Sequence, residues 1–336
     1  MIHINIFTCS NGDPYYPNWD KNEYPESEYD IKTNSDADIV WDCVIVSQNV
    51  PKPIKIRCKE GNLLYISGEP PLMYPCPHSF TEQFDTVIMP HRKVKHKNKI
   101  LHHGFLSWTL GRGFKSKTHR YNYYDLQNLQ PNKTKLFSIV SSNQTMMPGH
   151  NKRVSIIQKL QQDYPGVVDV YGRGYKFIDF KADALLPYMF HICMENSSIP
   201  DYWTEKISDP IIAQCVPIYS GCSNLSDYLG EEGYYQFDIN DYESLKRIIE
   251  KVLISPEEEY KKNKPALEML RKHIMEKENI VPFAINYIQN SNSKVREYTI
   301  IPMTECRGYK LQLMVIRMKR AIFKSFFQLL QKFQKQ

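Results

Sequence analysis

No uninterrupted apolar run in the 336 residues approaches the roughly 18 needed to cross a bilayer, and Met1 opens onto a strand-like stretch instead of a basic leader. Neither a membrane-spanning nor an exported protein is expected. Paired cysteines are missing too. Cys9, Cys43, Cys58, Cys76, Cys193, Cys215, Cys222 and Cys306 stand apart, with no Cys-x-x-Cys and no zinc-type Cys/His spacing. They read as reduced thiols of a cytoplasmic protein, most of them acting as small buried hydrophobes. No internal repeat is present, and 42% hydrophobic with 24% charged residues is ordinary globular usage, which excludes general disorder and collagen-like chains. The length exceeds what one core usually holds, so two domains are expected.

Acidic residues are absent from Arg307 onward, where Arg307, Lys310, Arg317, Lys319, Arg320, Lys324, Lys332 and Lys335 accumulate. Residues 1–306 then carry 35 basic and 37 acidic side chains. A nearly neutral body argues against nucleic acid as a partner, because such binding needs a basic face on the folded domain. Within the tail, Leu311, Val315, Met318, Ile322, Phe326, Leu329 and Phe333 recur at three- and four-residue steps, with Arg317, Arg320, Lys324 and Lys335 on the other side. This pattern predicts an amphipathic helix lying on an anionic membrane surface, which would place the protein peripherally at the inner face of the membrane. A core or dimer helix is the alternative for the same stripe.

Short apolar runs bounded by turn residues alternate with helix-like stretches, the signature of α/β architecture with parallel strands. Strands are expected at residues 2–7, 39–46, 63–66 and 86–89, then at 135–141, 167–171, 188–194 and 216–219, with a helix at 151–163 and another from about Asp201. The polar stretch before residue 132 marks a boundary. The expected organisation is 1–132, 133–306 and a basic tail at 307–336.

The segment 188–221, YMFHICMENSSIPDYWTEKISDPIIAQCVPIYSG, carries the chemistry. A buried strand delivers Glu195, Asn196 and Ser197 to its C-terminal end, and Thr204, Glu205 and Lys206 open a helix. Backbone N–H groups at a helix N-terminus with a lysine in the first turn suit a phosphate. Glu205 can accept from a ribose diol, and Glu195 with Asn196 from sugar hydroxyls. A capped helix with an exposed charge pair is the bland alternative. Pro210 falls inside this helix, which should therefore be short or kinked.

The run Phe190, Glu195-Asn196-Ser197, Asp201-Tyr202-Trp203-Thr204-Glu205-Lys206, Val216-Pro217-Ile218 closely resembles the donor-binding signature of the α-1,3-fucosyltransferases of glycosyltransferase family 10. The resemblance continues upstream at residues 135–153 and at Val168 to Gly172, is looser over 1–130 and is absent from the last thirty residues. It implies a GT-B-like fold, two Rossmann-like domains facing a cleft, and a bacterial-type enzyme that moves L-fucose from GDP-fucose to O3 of GlcNAc or glucose in a β-galactoside-containing glycan, with inversion. The implied acceptor is an oligosaccharide or glycolipid, such as lipopolysaccharide or capsule. Carried over by position, Arg153 and Lys206 would neutralise the diphosphate. Glu205 would hold the ribose, while Tyr202, Glu195 and Asn196 would line the phosphate and fucose pocket. Gly172, at a strand end, would allow close backbone approach. Two fixed cations make an obligatory metal cofactor unnecessary, so GDP-fucose is expected as donor substrate with no cofactor.

An inverting displacement also needs a base. Glu69 in Leu64-Tyr65-Ile66-Ser67-Gly68-Glu69-Pro70-Pro71 follows a buried strand, as the family's catalytic glutamate does, and is the candidate. Asp36-Ala37-Asp38 has the form of a metal-binding D-x-D but precedes a strand of the first domain, and is read as turn chemistry. The histidine-rich stretch 91–103 is read as a solvated loop. Another donor or linkage, or a non-catalytic glycan- or nucleotide-binding module, are the competing functions.

Overall fold

The computed structural model describes residues 1–9, 19–70, 73–106, 108–143, 148–288 and 294–333, with the side chains of 148–150, 324 and 326–333 left out. Along the chain run β1 (Ile2–Thr8), β2 (Tyr29–Thr33), β3 (Val40–Trp41), β4 (Cys43–Ser47), β5 (Ile54–Lys59), β6 (Leu63–Ile66), α1 (His78–Thr81), β7 (Thr86–Met89) and β8 (Lys99–Leu101). Then come α2 (Tyr123–Gln127), β9 (Lys135–Val140), α3 (Pro148–Asp163), β10 (Val168–Tyr171), β11 (Tyr188–Met194), α4 (Glu205–Ile212), β12 (Val216–Ser220), α5 (Ser226–Leu229) and β13 (Tyr235–Gln236). The chain ends with α6 (Tyr242–Ile254), α7 (Pro256–Glu276), α8 (Ile280–Ile288), β14 (Val295–Ile300) and α9 (Tyr309–Phe333).

Two compact units result. The first is Met1–Ser107 with Glu276–Met318, and the second is Trp108–Met275 with Lys319–Gln336. This division differs from the expected 1–132, 133–306 and 307–336. The first boundary lies earlier, and the chain returns to the first unit after α7.

In the first unit, the six-stranded sheet β2-β1-β4-β6-β7-β8 is parallel throughout. Its inner strands β4, β6 and β7 are buried on both faces, and the period of two along β4 shows why its sequence is continuously apolar. Val44 and Val46 join Phe80, Phe84 and Ile300 on one face, while Cys43 and Ile45 meet Ile280, Ala284 and Ile285 of α8 on the other. A small sheet, β14-β5-β3, ties the return segment to the N-terminal part, with β14 antiparallel to β5. The strand expected at 39–46 is interrupted at Asp42, whose backbone N–H donates to the His3 carbonyl at 2.8 Å and whose carboxylate accepts from the His3 N–H at 2.7 Å.

The second unit is built on the parallel sheet β10-β9-β11-β12-β13. Its core brings Ile156, Ile157 and Leu160 of α3 together with Phe137, Ile139, Phe190, Ile192, Val216 and Ile218 of the strands. Both units are thus α/β with parallel sheets, as the GT-B-like expectation requires. Among the described residues, no helix is long and apolar enough to cross a membrane.

The opening of α9 belongs to the first unit. Gln312 accepts from the Cys76 N–H at 2.9 Å, Tyr309 packs beside Ile300 and Met303, and Ile316 is buried. Leu311, Met314, Val315, Met318, Ile322 and Phe323 remain exposed. Residues spaced as 309, 312 and 316 thus form a docking stripe beside the expected apolar one. The stripe members Phe326, Leu329 and Phe333, with Lys324 and Lys335, lie outside the described side chains.

Candidate functional site

In the second unit, the crossovers from β9 lead first to β10 on one side and then to β11 on the other. The order in which strands are added therefore reverses between β9 and β11, and the crevice at their carboxyl ends is where open parallel sheets bind ligands. Ser141, Gly172 and Glu195 follow directly on β9, β10 and β11. Gly172 has φ +113°, and a Cβ there would lie 1.9 Å from the Ser141 carbonyl oxygen. Only glycine permits this approach of the two strand ends.

The first turn of α4 is fixed from below by Glu195, 2% exposed. Thr204, in an extended conformation, is the N-cap. Its N–H and hydroxyl donate to Glu195 Oε1 at 2.9 and 2.8 Å, and its Oγ1 accepts from the Lys206 N–H at 3.3 Å. Lys206 Nζ lies 3.2 Å from Glu195 Oε2 and 3.4 Å from Glu205 Oε1. Burial raises the Glu195 carboxyl above its ordinary value, partly offset by Lys206. For Lys206, burial works against the charge, but Glu195 and Glu205 outweigh it and hold the ammonium protonated above its usual range. Burial likewise disfavours the Glu205 anion, yet Lys206 and Lys181 pull its pKa down to about 2. The network keeps a lysine charged at a helix N-terminus, where backbone donors also point outward. Both Glu195 oxygens have partners inside the protein, so its observed part is to position Thr204 and Lys206.

Arg153, in α3, is 7% exposed. Its Nη1 reaches the carbonyl of Met194, the last residue of β11, at only 3.5 Å, and its buried Nε has no hydrogen-bond partner among the described residues. The side chain therefore spans the reversal between β9 and β11. Burial lowers its pKa, opposed by Glu195, Tyr202 and Glu205. A guanidinium has five donors, and a buried donor left unmade costs about 1–3 kcal/mol, which an anion would relieve. Tyr202 is buried and Asn196 half-buried. The structure thus assembles Arg153, Glu195, Tyr202, Glu205 and Lys206 into one electrostatic cluster, with Asn196 and Gly172 on the same strand ends. The helix α4 is short, as expected, since Pro210 lacks the N–H that would meet the Lys206 carbonyl.

Sequence reading missed two supports of this cluster. Lys181 Nζ donates to the Glu205 carbonyl at 3.0 Å and to Asp209 Oδ2 at 2.8 Å. Asp209 also accepts from the Thr109 N–H at 2.7 Å, the Thr109 hydroxyl at 2.7 Å and the Leu110 N–H at 3.2 Å. Asp201, at φ +60°, accepts from Asn224 Nδ2 at 2.9 Å and from the Tyr228 hydroxyl at 3.1 Å, which fixes the entry to Tyr202. Partners so far apart in the chain leave no local signal.

Glu69 lies in the first unit, half-buried, just after β6. His91 Nε2 donates to the Glu69 carbonyl at 2.6 Å, and burial lowers the His91 pKa, which keeps the ring neutral. Gly104, at φ +86°, presses on Ser67 and Gly68, where a Cβ would come within 2.6 Å of backbone atoms. Pro71 of this turn lies outside the described residues. The histidine-rich stretch is the expected solvated loop only between its ends, where Arg92, Lys93, Lys95 and Lys97 are exposed, whereas His91 and His103 are buried. Asp36 and Asp38 are exposed, and Asp38 pairs with Arg57 at 3.0 Å.

Residues 130–279 match the family model "Glycosyltransferase family 10 (fucosyltransferase) C-term". Alpha-(1,3)-fucosyltransferase B of Drosophila melanogaster is 35% identical over 66 residues, 20% of this chain, which there spans only 15% of that protein. Among solved structures, an alpha1,3-fucosyltransferase with GDP is 16% identical, covering 87% of this chain and 91% of its own at a TM-score of 0.47. An alpha1,3-fucosyltransferase with GDP-fucose is 14% identical, covering 94% and 90% at 0.39. The segment that carries the Arg153, Glu205 and Lys206 cluster belongs to glycosyltransferase family 10, the fucosyltransferases.

Proposed function

We propose that the protein transfers L-fucose from GDP-fucose to O3 of GlcNAc or glucose in a β-galactoside-containing glycan, with inversion. The observation that carries this reading is Arg153, buried at the carboxyl end of β11 with its Nε unpartnered among the described residues, in the electrostatic reach of the α4 first turn. As the bond to fucose breaks, negative charge grows on the diphosphate. Arg153 and Lys206 stabilise that charge without reorganising, which is where fixed charges lower a barrier most. Glu205 accepts from the ribose hydroxyls, Asn196 and Tyr202 bound the sugar pocket, and Glu69 takes the acceptor proton.

A turnover screen of the purified protein against a panel of sugar nucleotides, with a β-galactoside acceptor and with or without EDTA, tests this reading. GDP-fucose should give the only strong signal, and chelation should leave most of it. A different preferred nucleotide overturns the donor assignment. Complete loss on chelation, restored by Mn²⁺, overturns the two-cation account and returns attention to Asp36 and Asp38.

The exposed side of α9 is proposed to lie on an anionic membrane. Met318 and Ile322 are 56% and 66% exposed, so replacing both by Glu leaves the docking stripe of Tyr309, Gln312 and Ile316 intact. The full chain should sediment with phosphatidylglycerol vesicles, less so as salt rises, and the double variant should not. Turnover on a soluble acceptor should be unchanged. Equal sedimentation of the variant refutes the membrane assignment.

A further inference from the structure

His102 and His103 follow β8, and Glu278 stands just before α8, 175 residues beyond His103. All three belong to the first unit. His103 Nε2 lies 2.8 Å and His102 Nε2 3.1 Å from the same Glu278 Oε2. The three atoms are within 4.8 Å of one another. Their side chains are 2%, 17% and 11% exposed for His103, His102 and Glu278, so the cluster is enclosed with a narrow approach past His102. Packing sets the rings. His102 stacks on Phe105 at 4.1 Å between centroids, and Phe105 rests on Phe283 of α8 at 4.6 Å.

Two imidazole nitrogens and a carboxylate are the donor set of a zinc-type centre, and tetrahedral ligands at about 2.0–2.2 Å from one ion stand roughly 3.3–3.6 Å apart. The two nitrogen–oxygen spacings, 2.8 and 3.1 Å, need to open by less than about 1 Å to take an ion. We propose that His102, His103 and Glu278 bind a divalent transition-metal ion of the zinc class, with a water completing the shell. Imidazole with one carboxylate favours such an ion over Mg²⁺ or Ca²⁺, which prefer oxygen-only sites. Loading has a cost. The Gly104 N–H faces His102 Nδ1 at 3.3 Å, and this long contact is given up when Nδ1 takes the proton displaced from Nε2.

The ion would join the segment beneath Gly68 and Glu69 to the returning helix α8. It has no part in stabilising the diphosphate, so the site and the proposed transfer reaction stand or fall separately. Untagged full-length protein, treated with chelator and desalted, is titrated with Co²⁺ by visible absorption and with Zn²⁺ by calorimetry. One equivalent of Zn²⁺ should bind with a dissociation constant in the micromolar range or tighter and raise the thermal midpoint, and Co²⁺ should show ligand-field bands. Glu278→Gln keeps a hydrogen-bond acceptor but loses the anion, and His102→Asn removes the more exposed ligand. Each should weaken Zn²⁺ binding roughly 100-fold or more, at or beyond the upper end of what losing a supporting residue costs. Wild-type protein that binds neither ion overturns the proposal, as does undiminished binding in whichever variant retains the wild-type circular dichroism spectrum.

Discussion

Glu69→Gln is expected to lower kcat roughly 100-fold or more while GDP affinity stays within about twofold, as the loss of a general base alone would do. The substitution is close to isosteric. The turn that presents it is held through backbone groups, by His91 on the Glu69 carbonyl and by Gly104 against Ser67 and Gly68. Neither of these two supports involves the carboxylate, so the variant should keep the turn, and a thermal melt beside the wild type checks that it does. Initial rates with saturating donor and acceptor, together with calorimetric titration of GDP, separate the two quantities. A kcat near the wild-type value eliminates Glu69 as the base.

Arg153→Ala should reduce kcat/KM for the donor by about 10²–10³-fold and weaken GDP binding, because its contact strengthens as charge develops on the leaving group. Arg153→Lys should fall between, since it keeps the charge and loses the fork. This position is informative because, among the described residues, the Arg153 side chain makes a single hydrogen bond, at 3.5 Å. Lys206 is different. Removing it leaves the enclosed Glu195 carboxylate without its partner, at a cost of about 3–5 kcal/mol, so Lys206→Met alone confounds folding with binding. The double change Lys206→Met with Glu195→Gln restores neutrality and should recover the melting temperature without recovering donor affinity. Unchanged GDP affinity and rate in Arg153→Ala would sink the phosphate site.

What was legible in the sequence follows from how each element is buried. The strands β6, β7 and β11 stand out because both faces are covered and every residue but His191 is apolar or small. By contrast, β5 alternates, with Arg57 outward and Ile56 and Cys58 inward, and a search for continuous apolar runs passes over it. The α4 first turn was legible because cap, acid and lysine are adjacent in the chain. The part played by Glu195 was only half visible. Its strand position marks it as a crevice residue, but its commitment to Thr204 and Lys206 depends on the loop 196–203 folding back. Longer separations hid more. Lys181 meets Asp209, Gln312 meets Cys76 and Glu278 meets two histidines only after the sheets form. The resemblance to glycosyltransferase family 10 marked the α4 cluster and, in the first unit, Glu69, but none of these long-range pairs.

The return of the chain after α7 bears on how the protein is made. A ribosome emits Met1–Ser107 first, yet the apolar partners of that sheet, Ile280, Ala284 and Ile285 on one face and Tyr298 and Ile300 on the other, come after the whole of Trp108–Met275. At bacterial-to-eukaryotic elongation rates of roughly 5–20 residues per second, the nascent parallel strands wait on the order of ten seconds for their cover. During that interval the second unit can complete its own core. The first sheet is thus expected to complete its core after the second, with its apolar strands uncovered while the rest of the chain is made.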